Sequence, residues 1–232
     1  MDKYLTPIAV VLGCIIIAVA VAFGQGGTSK TNGDQPLAAD IKDVDTDSGP
    51  FIGEKGAPVV MAVWFDYQCP FCKQFELTTM AEINENYVKT GKVKVVFKDF
   101  QFLDEYSKNP ERVEDSITAA VFGRAVWDAH PDRYHDWFRA MAENQDEEFG
   151  GFGDFKSIEA LTRTIPGIDG DRVLKLVTDK RAEYEAAIAA DRAEGQALGI
   201  NGTPSMIIGT TLLSGAETYA KISGLLDAEL AQ

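Results

Sequence analysis

Cysteine is scarce in this chain: three residues in 232, at positions 14, 69 and 72. Two cysteines in the folded part are too few to staple a disulfide scaffold. They are also too few for a structural zinc site, which usually takes four ligands. Histidine is scarcer still. His130 and His135 are the only two, and residues five apart fall on different faces of a helix. His130, before Pro131, reads as a helix break and His135 as a half-exposed helix position. Positive charge is short as well, with 22 Lys and Arg against 36 Asp and Glu and a formal net charge of −14. An acidic surface repels phosphate backbones, so no nucleic-acid partner is expected. Gly150-Gly151-Phe152-Gly153 lacks the lysine of a phosphate-binding loop and reads as a turn.

Residues 7–23 carry no charge. A run of about 17 apolar residues sits at the lower limit for a membrane-spanning helix. Lys3 lies just before it, which favours an N-terminus inside and a chain leading outside. An uncleaved anchor over residues 1–23 is the leading expectation. Ala18-Val19-Ala20 and Ala20-Val21-Ala22 also fit signal-peptide cleavage, and Leu12-Gly13-Cys14 suggests a lipidated cysteine. Each reading leaves the rest of the chain outside the cytoplasm, where disulfides persist. Residues 24–50, rich in Gly, Asp, Thr and Ser, read as a flexible acidic linker. Asp43, Asp45, Asp47 and Glu54 imitate a calcium loop, but Ser48 replaces the required glycine, so no metal is expected.

The folded region is expected over 51–232. Val59–Phe65 is a nearly continuous apolar run, suited to a central strand covered on both faces. A helical pattern follows over 71–89, with Phe75, Thr79, Ile83 and Tyr87 on one face. Gly91 ends it, and 93–100 is a second strand. Residues 109–199 then read almost wholly as helix, with Tyr134, Trp137, Phe138 and Met141 at amphipathic spacing. Short strands over 205–208 and 211–213 and a helix over 216–230 close the chain. The expected class is α/β: a mixed sheet with a helical insertion at about 103–199.

Cys69 and Cys72 stand where a strand feeds a helix. The first turn of a helix has unpaired N–H groups and a partial positive charge. Cys69 at that end should have a pKa lowered toward ~3.5–7.5 and be the attacking, more exposed thiol. Pro70 has no N–H to lose and suits the helix start. Lowering the thiolate energy of Cys69 favours the reduced pair, which makes the disulfide more oxidising. A structural disulfide across two residues closes almost no loop and stabilises little.

The segment Asp66 to Glu76, reading DYQCPFCKQFE, resembles the active-site segment of DsbA-like proteins of the thioredoxin superfamily. The likeness extends to Val95-Val96-Phe97-Lys98-Asp99-Phe100, to Trp127 with Tyr134-His135-Asp136, and to the segment Leu198 to Ser205, reading LGINGTPS. The resemblance implies a thioredoxin core interrupted by helices. It also implies thiol–disulfide exchange in which Cys69 attacks or is attacked, Cys72 resolves, and a cis Pro204 faces the pair across a groove. Thr203 would present backbone groups to a substrate peptide, with Pro70 and Phe71 beside it. No cofactor is implied beyond the Cys69–Cys72 disulfide. The partners implied are cysteine-containing secreted proteins and a membrane-embedded protein that reoxidises the pair. Phe71 departs from the most oxidising members, which carry histidine there. Glu76 and Lys98 are expected to form a buried charge pair under the cysteines. Three functions compete: an oxidase, a reductase or isomerase on the same residues, and a non-redox peptide-binding module.

Overall fold

The computed structural model describes residues 37–112, 114–146 and 150–232. The candidate anchor at 7–23 and Cys14 lie outside these residues. Among the described residues, no helix is long and apolar enough to cross a membrane.

Alternating side chains give the central strands two buried faces. In β3 (Val59–Phe65), Val59, Met61, Val63 and Phe65 enter the larger core, while Ala62 and Trp64 enter a smaller one behind the sheet. β4 (Val93–Asp99) runs parallel to β3, with Val93 opposite Val59 and Phe97 opposite Val63. β5 (Ser205–Ile208) pairs antiparallel with β3 and returns through β6 (Thr211–Ser214). Two short edge strands, β1 (Leu37–Ala38) and β2 (Phe51–Ile52), complete the mixed sheet in the order β1-β6-β5-β3-β4-β2.

Helix α1 (Pro70–Phe75) leaves the top of β3 and continues through π-helical turns over Glu76–Met80 and Asn84–Val88. Gly91 adopts a positive φ of 72° after this helix. The segment between β4 and β5 is helical as expected. It comprises α2 (Asp115–Ala129), α3 (Tyr134–Asn144), α4 (Phe155–Thr164), α5 (Gly170–Asp179) and α6 (Arg181–Ala197). The last helix, α7 (Tyr219–Leu230), begins three residues later than its pattern suggests, because the Thr218 side chain caps it at Lys221 N. In α6, any side chain at Gly195 would strike Trp64, whose Nε1 donates to the Asp191 carbonyl at 3.1 Å.

The stretch expected to be a flexible linker departs from that reading from Leu37 onward. β1 pairs with β6, and Ala39 and Val44 are buried against the smaller core with Trp64. Pro50 accepts from Phe97 N at 2.9 Å. Strand pairing uses backbone groups that every residue carries, so a polar composition does not prevent it. The Asp45 carboxylate accepts from the N–H groups of Asp47 and Ser48.

Candidate active site

Cys69 is the N-cap of α1, with Pro70 in the first helical turn, and its backbone is extended (φ −78°, ψ 120°). The preceding loop is held rigidly. The fully buried Asp66 accepts from the N–H groups of Gln68, Phe102 and Leu103 and from the Ser116 hydroxyl. This ties the loop both to the end of β4 and to α2. Tyr67 packs beside α2 so closely that a side chain at Gly123 would overlap its hydroxyl. The Thr203–Pro204 peptide bond is cis, and the Cys69 thiol donates to the Thr203 carbonyl at 3.4 Å. Phe71 stands out at the rim, 60% exposed.

The pair is present as free thiols. Exposure does not distinguish them: Cys69 is 3% and Cys72 7% accessible. Whole-residue accessibility thus ranks neither thiol first, although the Cys72 sulfur lies the deeper of the two. Electrostatics distinguish them instead. A hydrogen bond from the Cys72 thiol is the main influence lowering the Cys69 pKa, against burial. The Thr203 side chain and the backbone N–H groups of Cys72 and Phe71 add to it, and the result is about 7. Burial pushes Cys72 well above the ordinary thiol value. A value near 7 lies at the weak end of the range for such motifs, as expected where Phe71 supplies no cation.

The expected Glu76–Lys98 pair does not form. Both side chains are buried, but they lie on opposite faces of the sheet. Phe97 faces the larger core with Glu76, so Lys98, the next residue, faces the other way. There Lys98 meets Asp191 at 2.6 Å and Glu194 at 3.0 Å, both from α6. Glu76 bonds instead to Nε2 of His135 on α3, at 2.9 Å. His135, read from the sequence as half-exposed, has a side chain only 18% accessible. Its signal was Glu76, a carboxylate on the buried face of a helix that requires a partner. His130 accepts from Asp169 N at 3.0 Å, away from the cysteines. Asp66 and Gln145 also border the pair, and nothing in their local sequence pattern marks them.

The family model described as "Thioredoxin" matches residues 45–228. A protein named "Probable disulfide bond formation protein D" from Bacillus cereus is 23% identical over 220 residues, covering 94% of this chain and 93% of that protein. "Disulfide bond formation protein D" of Bacillus subtilis is 25% identical over 187 residues, covering 78% and 77%. The crystal structure of oxidised BdbD from Bacillus subtilis superposes with a TM-score of 0.70 at 21% identity. It covers 86% of this chain and 100% of its own, and shares the fold. The family match runs from the segment before β2 into α7, so the chain belongs to the thioredoxin family, among its DsbA-like thiol–disulfide oxidoreductases.

Proposed function

We propose that this protein donates its Cys69–Cys72 disulfide to cysteine-containing secreted proteins on the outer side of a membrane. A substrate thiolate attacks Cys69, the Cys69–Cys72 bond breaks, and Cys72 leaves with the electron pair and takes a proton. A second substrate thiolate then attacks its partner sulfur in the mixed disulfide and releases Cys69 as a thiolate. The redox equivalent is the pair itself. The observation that carries this reading is the opposed electrostatics of the two sulfurs. Cys69, with a pKa of about 7, is the better leaving group at neutral pH, and a good leaving group makes a disulfide oxidising. Pro204 and the Thr203 backbone border the substrate side, where an extended peptide adds main-chain hydrogen bonds. Pro70 and Phe71 form the opposite rim. The names of the relatives, which speak of disulfide bond formation, support the same direction.

A Cys72→Ser variant should accumulate mixed disulfides with substrates through Cys69. Equal trapping by Cys69→Ser would reverse the roles. The equilibrium of the pair with glutathione sets the direction. The absence of a cation at Phe71 favours a milder potential and so gives a reductase or isomerase reading its footing. A potential as low as that of thioredoxin, about −270 mV, would select that reading.

Residues 7–23 hold the protein at the membrane in this proposal, beside a membrane-embedded partner that reoxidises the pair. The protein should remain with membranes after a high-salt wash. N-terminal sequencing that begins at Val21 or Phe23 would instead make it a released enzyme.

A further inference from the structure

Away from the sulfurs, the loop after β4 meets the end of α6 around a cavity of about 420 Å³. That volume lies within the range of pockets that hold a ligand. Phe100, Phe102 and Tyr106 form one wall as an edge-to-face series, with ring centroids 6.2 and 6.0 Å apart. Gln196, Ile200 and Asn201 contribute to the other wall, and the Arg192 guanidinium stands 5.8 Å from the Phe100 ring. Phe100 and Ile200 belong to the smaller core behind the sheet, whereas the cysteines border the larger one. The aromatic wall is held in place by its backbone. Phe100 N donates to the Phe65 carbonyl and Phe102 N to Asp66, while Asp104 accepts from Ser116 N and Ile117 N. A wall so fixed needs little ordering when the cavity is filled.

We infer that this cavity takes an uncharged aromatic side chain of the substrate, two or three residues from the substrate cysteine. The inference rests on the exchange chemistry proposed for the pair and adds a preference among its substrates. Chain continuity connects the two sites. Asn201 lines the cavity and stands two residues before Thr203, whose carbonyl accepts from the Cys69 thiol. Two residues span at most about 7 Å, and an extended peptide advances about 3.3 Å per residue. A peptide laid along Asn201 to Thr203, with its cysteine at Cys69, therefore brings its second or third neighbour to the cavity. The other wall is tied to the same place, since Asp66, which holds Phe102 N, stands three residues before Cys69.

The walls select the occupant. Glu105 neutralises Arg192 at 2.6 Å, and Gln196 and Asn201 bring only amides, so no net charge faces the cavity. A carboxylate or an ammonium would lose water there without gaining a free counter-charge. An aromatic ring finds three rings and a guanidinium to pack against. Tyr106 is 64% exposed, and only Phe71 and Phe155 join it as exposed large apolar side chains among the described residues. Phe71 stands at the cysteine rim, so the rim and the cavity each present a ring that an apolar segment would cover.

The test measures how fast reduced peptides open the Cys69–Cys72 disulfide of the oxidised full chain. Each peptide has a central cysteine with phenylalanine, alanine or glutamate at the second and third positions on both sides. Phenylalanine should raise the second-order rate constant about tenfold to a hundredfold over alanine, and glutamate should not raise it. Tyr106→Ala should cut that preference about threefold to tenfold. Gln196→Trp, at an exposed position of α6, fills the cavity from its other wall and should abolish the preference. Glutathione has one residue on either side of its cysteine and does not reach the cavity, so its rate reports whether each variant keeps an intact redox site. A phenylalanine preference that survives in both variants would place the ring elsewhere and overturn the inference. Equal wild-type rates for phenylalanine and alanine, or a preference for glutamate, would overturn it as well. Self-association that Tyr106→Ala abolishes would give the surface to a second copy of the chain and exclude the substrate. A wild-type disulfide that neither glutathione nor any peptide opens would overturn the exchange chemistry itself.

Discussion

Two sulfurs three residues apart respond to opposite forces. At Cys69, the hydrogen bond from Cys72 and the donors at the helix start outweigh burial. At Cys72, burial wins. The reduced protein should therefore react with a small alkylating reagent at Cys69 alone, with a rate half-maximal near pH 7. A midpoint near 9, or labelling of both sulfurs, would contradict the assignment. Stability should follow. The folded Cys69 pKa lies below its ordinary 9.0, so its contribution is complete above that value and is lost as pH falls through about 7. Cys72, raised in the fold, stays neutral there and begins to ionise only in the unfolded chain as pH nears 9.0, so its opposing contribution stays small in this window. Denaturation of the reduced and oxidised forms at about pH 6 and about pH 8.5 should show the reduced form gaining on the oxidised one. An unchanged gap would mean that the thiolate is not stabilised by the fold.

Elements whose cause is local were legible in the sequence. The apolar run of β3, the amphipathic spacing of α3 and the Cys69–Cys72 turn each depend on residues within a few positions. Pairings across the sheet depend on parity, and there the reading slipped at Lys98: counting alternate residues from Phe97 shows that it cannot share a face with Glu76. The charge cluster that Lys98 joins is equally long-range. Arg124 on α2 bonds Asp99 at 2.7 Å and also bonds Asp191 on α6, and all three residues are buried. Burial, opposed by Arg124 and reinforced by Asp191, raises the Asp99 pKa to about 6. Arg124→Met leaves two carboxylates facing each other without their shared cation and should destabilise by about 3–5 kcal/mol. The loss should shrink toward about pH 5. A carboxyl with a raised folded pKa binds its proton more tightly when folded, so stability returns as pH falls toward the unfolded value. Urea titrations at about pH 5 and about pH 7.5 check this. A loss below about 1 kcal/mol at the higher pH would mean that water, not protein, surrounds the cluster.

At the scale of the molecule, the segment from Leu37 to Pro50 connects the outer strand to the region behind the active site. It supplies β1 and covers Trp64 with Ala39 and Val44. Its carbonyls at Asp45 and Thr46 accept from the buried ammonium groups of Lys98 (3.2 Å) and Lys94 (2.6 Å). Glu194 accepts from Asp45 N at 2.7 Å. Composition hid all of this, since few large side chains take part. Lys98 and Glu194 also hold α6, and α6 leads through Ile200 into the loop whose Thr203 carbonyl meets Cys69. A chain starting at residue 51 should therefore lose more than stability relative to one starting at residue 37. Two uncovered apolar side chains and two buried ammonium groups without their carbonyls come to a loss of about 4 kcal/mol. With α6 less firmly held, the Thr203 side chain, which helps to lower the Cys69 pKa, is less well placed, and the alkylation midpoint should move upward from about 7. Equal urea midpoints for the two chains would show that the segment merely lies on the sheet. A lost stability with an unchanged Cys69 midpoint would confine its effect to the core behind Trp64 and separate it from the redox site.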